Sequence, residues 1–159
     1  MTVGSGRPLP DTFAPGISSL DPRDTFVLQN GAGQQQVLVV EDERMILDLM
    51  AEHLCEEGYL VRTATTLEQA LAHLETELPA LLVLDLMLPG RSGWDFLAQR
   101  RQNPPLAALP VLVVSAAHRD HLDEALQLGA TACLHKPFDL DELSRVVRAL
   151  SARRLVRSI

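Results

Sequence analysis

Five polar side chains of this 159-residue sequence follow short apolar runs, and together they could hold a metal ion and react with phosphorus. Two carboxylates come directly after Val37–Val40, a third comes after Ala80–Leu84, and a hydroxyl comes after Val111–Val114. An ammonium comes shortly after the run Ala132–Leu134. In chain order, these residues are Glu41, Asp42, Asp85, Ser115 and Lys136.

The three carboxylates indicate a divalent cation. Carboxylates held within about 4–6 Å of one another raise each other's pKa and destabilise a fold. Mg²⁺ relieves this repulsion, since it takes oxygen ligands and keeps positions for water and phosphate. One aspartate could then attack phosphorus to give an aspartyl phosphate. Lys136 would neutralise the phosphoryl oxygens, and Ser115 could donate a hydrogen bond to one of them.

The apolar runs predict strands of a parallel sheet. They are continuous instead of alternating, which is typical of strands buried on both faces. The run Tyr59–Ala64 is less uniform because it contains Arg62 and Thr63, so we place it at a sheet edge. In an open parallel α/β sheet, ligands bind beyond the carboxyl ends of the strands. We therefore expect the five polar residues to meet at that end.

Helical patterns separate the predicted strands. The first amphipathic stripe consists of Leu47, Met50, Ala51 and Leu54, and similar stripes follow the other runs. Thr65 and Glu68 have the spacing of a capping box, which predicts the start of the second helix. Gly58 and Gly129 lie where helices are expected to end. The alternation predicts five βα units with right-handed crossovers.

Composition disfavours nucleic-acid-binding, disulfide-stabilised and membrane-spanning classes of protein. The net charge of −7 disfavours general binding to nucleic acid. Cys55 and Cys133 lack CxxC spacing, so we expect neither a disulfide framework nor a zinc site, and a reducing cytoplasm fits. No run approaches the roughly 18 apolar residues of a membrane span.

The ends of the sequence carry two further expectations. Residues 1–35 are rich in proline and glycine, which predicts a disordered or loosely ordered extension before a folded domain at 36–159. Few residues follow Pro137, so we expect a stand-alone domain without an output domain.

Four blocks of sequence resemble two-component receiver domains, and their order and spacing make the match specific. They are Val37–Glu43, Leu84–Gly93, Ser115–Ala116 and Gly129–Phe138, within a resemblance covering about residues 36 to 152. The resemblance implies a flavodoxin-like, doubly wound sheet of five parallel strands in the order 2-1-3-4-5, with five helices. It also implies a cis peptide bond between Lys136 and Pro137.

The same resemblance implies a role for each polar residue. Asp85 would be the phosphoacceptor, and its donor a phosphohistidine on a sensor histidine kinase or histidine phosphotransfer protein. Mg²⁺ would be held by Asp42, Asp85 and the backbone carbonyl of Met87, with Glu41 holding a metal-bound water. Lys136 would pair with the phosphoryl group, and Ser115 would move toward it. Such a domain signals by protein–protein contact and catalyses only its own phosphorylation and dephosphorylation, so it is not a turnover enzyme.

Two departures from the family pattern lead to hypotheses. Cys133 stands where the family usually has tyrosine or phenylalanine, so the output face would be signalled by backbone shifts or by another side chain. Met87 and Ala117 stand where family side chains influence the hydrolytic water. Neither side chain can orient water by hydrogen bonding, which predicts slow self-dephosphorylation.

Alternative interpretations remain open at this point. The acidic residues could be solvated loop charges, or the domain could be a degenerate receiver that binds partners without phosphorylation. A haloacid-dehalogenase-type phosphatase would need a second aspartate two residues after the nucleophile, where Met87 stands. A symmetric dimer could pair the basic last helix with the acidic helix before it. The residues concerned are Arg145, Arg148, Arg153, Arg154 and Arg157 on one helix and Asp120, Asp123 and Glu124 on the other.

Overall fold

A computed structural model describes residues 25–26, 34–90 and 92–158 of the chain. The strands are β1 (Thr25–Phe26), β2 (Gln36–Val40), β3 (Leu60–Ala64), β4 (Leu81–Leu84), β5 (Val111–Ser115) and β6 (Ala132–His135). The helices are α1 (Arg44–Glu56), α2 (Leu67–Thr76), α3 (Gly93–Arg100), α4 (Pro104–Ala107), α5 (Arg119–Gln127) and α6 (Leu140–Ser158). None of the helices within these ranges is long and apolar enough to cross a membrane.

The five predicted strands form one parallel sheet. The full order is β1-β3-β2-β4-β5-β6, so β2 to β6 have the predicted order 2-1-3-4-5, which is confirmed. Val40 lies opposite Leu84, and Leu84 lies opposite Val113. This register brings the carboxyl ends of the central strands level at one edge of the sheet.

Both faces of the sheet are covered, as the continuous apolar runs predict. Alternate residues of a strand enter different cores because successive side chains point to opposite faces. Leu38 and Val40 join the core formed with α2, α3 and α5. Val37 and Val39 join the core formed with α1 and α6. The central strands are therefore fixed from two sides, which holds the residues after them in place.

Helix ends agree with the sequence at two glycines and differ at one cap. Gly58 and Gly129 follow α1 and α5 with φ of 103° and 115°, a conformation that glycine adopts without strain. The capping box proposed at Thr65 is wrong by one residue, because the Oγ1 of Thr66 accepts the N–H of Gln69 at 3.1 Å. Thr65 and Thr66 each have a Glu or Gln three positions later, so spacing fits either.

The structure contains two short elements that the sequence did not predict. The four-residue α4 raises the number of described helices from the predicted five to six. Strand β1 lies within the segment predicted to be loosely ordered and pairs antiparallel with β3, opposite Arg62 and Val61. The prediction that the Tyr59–Ala64 run is an edge strand is therefore wrong, because β1 lies outside it. Gln35 also donates to the carbonyl of Ser151 at 3.0 Å. The rest of the 1–35 segment, apart from Gln34, lies outside the described residues.

Candidate functional site

Three carboxylates meet at the carboxyl-end edge of the sheet. Glu41 and Asp42 follow β2, and Asp85 follows β4, where its N–H donates to Val40 O at 3.0 Å. One oxygen from each of the three carboxylates lies within 4.8 Å of the other two. Glu41 and Asp85 are only 1% and 4% exposed, whereas Asp42 faces solvent. A buried acidic pair with one open side is a geometry that can admit a cation from solvent.

Lys136 reaches this acidic cluster across the neighbouring strand. Its backbone N–H donates to Ser115 O at 2.9 Å, which places the residue just past the end of β6 and beside β5. Its Nζ then lies 2.6 Å from Glu41 Oε1 and 3.2 Å from Asp85 Oδ2. One ammonium therefore faces three carboxylates, which leaves a formal surplus of two negative charges when all four groups are ionised.

Burial and pairing shift the pKa of two of these groups. Burial raises the pKa of Glu41, because desolvation disfavours its charged form, although the hydrogen bond from Lys136 acts in the opposite direction. Burial by itself would lower the pKa of Lys136, but the hydrogen bond to Glu41 and the charge of Asp85 outweigh it. The pKa of Lys136 is raised as a result, so the ammonium stays charged at neutral pH.

Backbone N–H groups orient the two buried carboxylates. Glu41 Oε2 accepts the N–H of Glu43 at 3.1 Å. Asp85 Oδ1 accepts the N–H of Met87 at 3.0 Å, while its Oδ2 faces Lys136. Each carboxylate is thus held by one backbone donor and one ammonium. The metal-ligand role predicted for the Met87 carbonyl stays a prediction.

Ser115 ends β5, between the strand that carries Asp85 and the strand that precedes Lys136. Its side chain is fully buried, and its Oγ accepts the N–H of Ala117 at 3.2 Å. The hydroxyl is therefore engaged with its own loop. It lies at the same sheet edge as the acidic cluster.

Gly93, which ends the second sequence block and begins α3, is a site residue that the sequence did not single out. A Cβ atom at this position would lie 2.8 Å from the Asp85 carbonyl oxygen and 2.9 Å from Leu86 Cα. Both neighbours are backbone atoms, so any side chain would displace the segment that carries the phosphoacceptor candidate. The presence of Gly93 in the second sequence block together with Asp85 is the signal that could have revealed this role.

The donor set fits a hard divalent cation. All three candidate side-chain ligands are carboxylates, and Mg²⁺ prefers such oxygen ligands. Among the residues described, these three make up the group of His, Cys, Asp or Glu side chains close enough to share an ion. A cation would remove the repulsion that Lys136 neutralises only in part.

Polar side chains away from the acidic cluster have local roles. His118 caps α5 by accepting the N–H of Asp120 at 3.3 Å. His53 lies 2.6 Å from the Ser144 hydroxyl, between α1 and α6. Arg148 pairs with Glu57 of its own chain at 3.1 Å. The side chains of Arg153, Arg154 and Arg157 lie outside the described part, so the dimer hypothesis stays a prediction.

Sequence comparison identifies the family to which this architecture belongs. The profile of the response regulator receiver domain matches residues 37–148. The transcriptional regulatory protein PhoP of Bacillus subtilis, which is named for alkaline phosphatase synthesis, is 38% identical over 121 residues, or 75% of this chain and 49% of PhoP. An uncharacterized 14.6 kDa protein of Leptolyngbya boryana is 36% identical over 116 residues, or 72% of this chain and 88% of that protein.

The relatives differ in length. The transcriptional regulatory protein BasR of Escherichia coli is 40% identical over 121 residues, covering 74% of this chain and 53% of BasR. This chain therefore spans about half the length of PhoP and BasR.

Solved structures give the same result. The receiver domain of Francisella response regulator 1452 superposes with a TM-score of 0.69 at 28% identity, covering 76% of this chain and 98% of that one. A CheY-like receiver domain protein from Methanospirillum hungatei superposes with a TM-score of 0.71 at 26% identity, covering 79% and 99%. The matched profile, the relatives above 30% identity and the shared sheet order agree, and the chain belongs to the response regulator receiver domain family.

Proposed function

We propose that this receiver domain accepts a phosphoryl group on Asp85 from a phosphohistidine donor and signals the change by protein–protein contact. One observation carries the proposal: the buried Asp85 carboxylate is paired with the Lys136 ammonium and shares a cluster with two further carboxylates at the open edge of the sheet. Such surplus charge costs stability in the free domain, and it acquires a purpose when a cation and a phosphoryl group arrive.

The transfer step needs only one nucleophile from the chain. An Asp85 oxygen forms a bond to phosphorus while the P–N bond of the phosphohistidine breaks. The electron pair leaves with the imidazole, which takes a proton from solvent. Met87 N–H holds the carboxylate in one orientation, and Lys136 lies where it can neutralise a phosphoryl oxygen.

The acidic cluster would hold Mg²⁺ through Asp42, Asp85 and the Met87 carbonyl, with Glu41 acting through water. When bound, the ion supplies positive charge to the phosphoryl oxygens. Glu41 and Lys136 remain paired at 2.6 Å in the free domain, so the ammonium is already positioned. The chemistry therefore requires little rearrangement of the two charged side chains nearest Asp85.

Intact-mass spectrometry tests the phosphorylation directly. With acetyl phosphate and Mg²⁺, the wild-type chain should gain the mass of one phosphoryl group, and chelation of Mg²⁺ should prevent the gain. Asp85→Asn should abolish it, whereas Asp123→Asn, which changes an exposed aspartate of α5, should not. No added mass in the wild-type chain would contradict the proposal and favour the degenerate binding module.

An apolar groove beside the site suits a protein donor. The groove, of about 390 Å³, lies between α1 and the loops after β5 and β6. It is lined by Ile46, Leu49, Met50, Ala116, Lys136, Pro137, Phe138 and Leu140. Met45 and Leu49 are 78% and 53% exposed on α1. Because Lys136 belongs to both groove and site, a helix packed here would carry its histidine toward Asp85.

A charged side chain in the groove should affect phosphotransfer from a protein donor but not from the small molecule acetyl phosphate. Leu49→Glu should slow phosphotransfer from a phosphorylated histidine-kinase core and leave labelling by acetyl phosphate unchanged. Leu126→Glu, at an exposed leucine of α5 outside the groove, is the matched control. Equal transfer rates for wild type and both variants would place donor docking elsewhere.

A further inference from the structure

Three ring side chains bridge α3 and α5 next to the site. Trp94 of α3 and His121 of α5 meet edge to face, with ring centroids 6.2 Å apart and an interplanar angle of 82°. His118, at the start of α5, meets His121 in the same way at 6.5 Å. Trp94 is partly buried against the core, whereas both histidines are exposed. The Trp94–His121 contact thus joins a fixed helix to the exposed start of another.

Hydrogen bonds connect this contact to Ser115. Ser115 Oγ accepts the N–H of Ala117 at 3.2 Å, and the next residue is His118. The carbonyl of His118 accepts the N–H of His121 at 2.9 Å, and its ring caps α5. Any movement of the Ser115 hydroxyl that releases Ala117 therefore acts on the residue from which α5 begins.

A phosphoryl group on Asp85 would compete for that hydroxyl. β5 lies between β4 and β6, so Ser115 stands between the strand ends that supply Asp85 and Lys136. Ionised oxygens are stronger acceptors than a neutral group, and the Ser115 hydroxyl is a buried neutral donor at that edge. If the Ser115 side chain rotates about its Cα–Cβ bond to donate its O–H to the phosphoryl group, its Oγ moves away from the Ala117 N–H, which then loses its acceptor.

We infer that the Trp94–His121 contact is a latch that holds the start of α5 against α3 until phosphorylation of Asp85 releases it through Ser115. The inference rests on the proposed function. In this inference, side chains of α3 and α5 transmit the change. The β6 position where related domains usually have an aromatic ring holds the small Cys133, whose Sγ donates to Leu122 O at 3.4 Å. His121 and Trp94 act as positioning residues, because neither touches the phosphoacceptor in the described contacts.

Trp94 is the single tryptophan of the sequence, so the tryptophan fluorescence reports on the surroundings of this one ring. Acetyl phosphate with Mg²⁺ should shift the emission of Trp94 in the wild-type chain. His121→Ala and Ser115→Ala should each lose that shift while intact-mass spectrometry shows that Asp85 still carries phosphate. Gln127→Ala, at an exposed residue of the same helix, should keep it.

Binding of beryllofluoride with Mg²⁺ supplies a second measurement. A contact that must break on activation opposes activation, so its removal should tighten binding. The loss of one aromatic pair corresponds to about a two- to tenfold change in the Kd for beryllofluoride. We expect this change in His121→Ala and not in Gln127→Ala. Because His121 is exposed, its replacement leaves the core intact.

Each outcome decides the inference. A phosphorylated chain with unchanged Trp94 emission, or an undiminished shift in His121→Ala, overturns the latch and leaves the proposed function standing. Absence of the phosphoryl mass overturns both, and the mass spectrum distinguishes the two cases. Loss of the shift in both variants together with tighter beryllofluoride binding in His121→Ala supports the latch.

Discussion

A cationic side chain with little exposure lies at each end of the sheet. Lys136 is surrounded by carboxylates, whereas Arg100 is surrounded by neutral backbone carbonyls. At the carboxyl end, Lys136 faces more carboxylates than it can neutralise. At the amino end, the guanidinium of Arg100 donates to the carbonyl of Leu106, to Ala107 O at 3.2 Å, to Leu109 O at 3.0 Å and to Gly129 O at 2.6 Å. Arg100 is only 5% exposed, and every oxygen named is neutral backbone.

This difference separates a structural charge from a functional one. Arg100 satisfies carbonyls before β5 and before β6, so it joins α3, α4 and the turn after α5. Burial lowers the pKa of Arg100, and its Nη1 and Nη2 donate to carbonyls of the chain, whereas its buried Nε has no partner among the described residues. The acidic cluster, by contrast, holds like charge that Lys136 neutralises only in part and that a bound cation would relieve.

Arg100→Leu should cause the largest loss of stability. It would leave one buried and three partly buried carbonyls without their guanidinium donor, at a cost of about 3 kcal/mol or more in the free energy of unfolding. Arg100→Lys should recover only part, because an ammonium cannot fork between the two segments. Urea denaturation measures the effect, with Arg101→Ala on the exposed neighbour as control. A loss below 1 kcal/mol in Arg100→Leu would refute the structural role.

Gly93→Ala should damage both stability and phosphorylation. Its Cβ would lie 2.8 Å from the Asp85 carbonyl oxygen, so α3 or the Asp85 segment must shift. We expect a cost of about 1–3 kcal/mol in unfolding free energy and slower labelling by acetyl phosphate. Ala98→Gly, which removes a Cβ at an exposed position of the same helix, controls for the helix itself. Wild-type labelling rates in Gly93→Ala would contradict this reasoning.

Met87→Asn should shorten the lifetime of the phosphorylated domain by about tenfold, which equals about 1.4 kcal/mol in the barrier. Met87 is 63% exposed beside Asp85, and its thioether cannot donate a hydrogen bond to an attacking water. An asparagine amide can. Loss of the phosphoryl mass with time, after removal of acetyl phosphate, gives both rates. A wild-type half-life of seconds would count against the role assigned to Met87.

Asp42→Asn should raise stability slightly when Mg²⁺ is absent and weaken the response to Mg²⁺. Removing one exposed carboxylate from the acidic cluster relieves about 0.5–1 kcal/mol of repulsion. In the wild-type chain, Mg²⁺ at ten times its Kd should add about 1.4 kcal/mol to the free energy of unfolding. Urea denaturation in chelator and in MgCl₂ measures both, with Glu52→Gln as a remote control. An unchanged Mg²⁺ response in Asp42→Asn would exclude Asp42 as a ligand.

The sheet and its polar edge were predictable because their signals are local. Each strand is an apolar run, and Glu41, Asp42, Asp85 and Lys136 follow those runs in fixed order. The strand order came from the family resemblance, since periodicity alone does not determine it. The burial of β2, β4 and β5 follows from the same runs, whereas β6 is only partly buried although its run is also apolar.

What the sequence did not reveal depends on contacts between distant segments. Arg100 binds carbonyls that lie up to 29 positions away, and no pattern near residue 100 indicates them. The four-residue α4 and the two-residue β1 are too short to show periodicity. Gly93 is required by the approach of Asp85, which a spacing can suggest but only packing explains.

The most direct test of the central claim is to locate the phosphoryl group itself. Borohydride converts an aspartyl phosphate to homoserine, which peptide mass spectrometry can assign to a residue. After treatment with acetyl phosphate and Mg²⁺, homoserine should appear at position 85 and at no other aspartate. An unmodified Asp85, or conversion at Asp42 instead, would contradict the assignment of Asp85 as the phosphoacceptor.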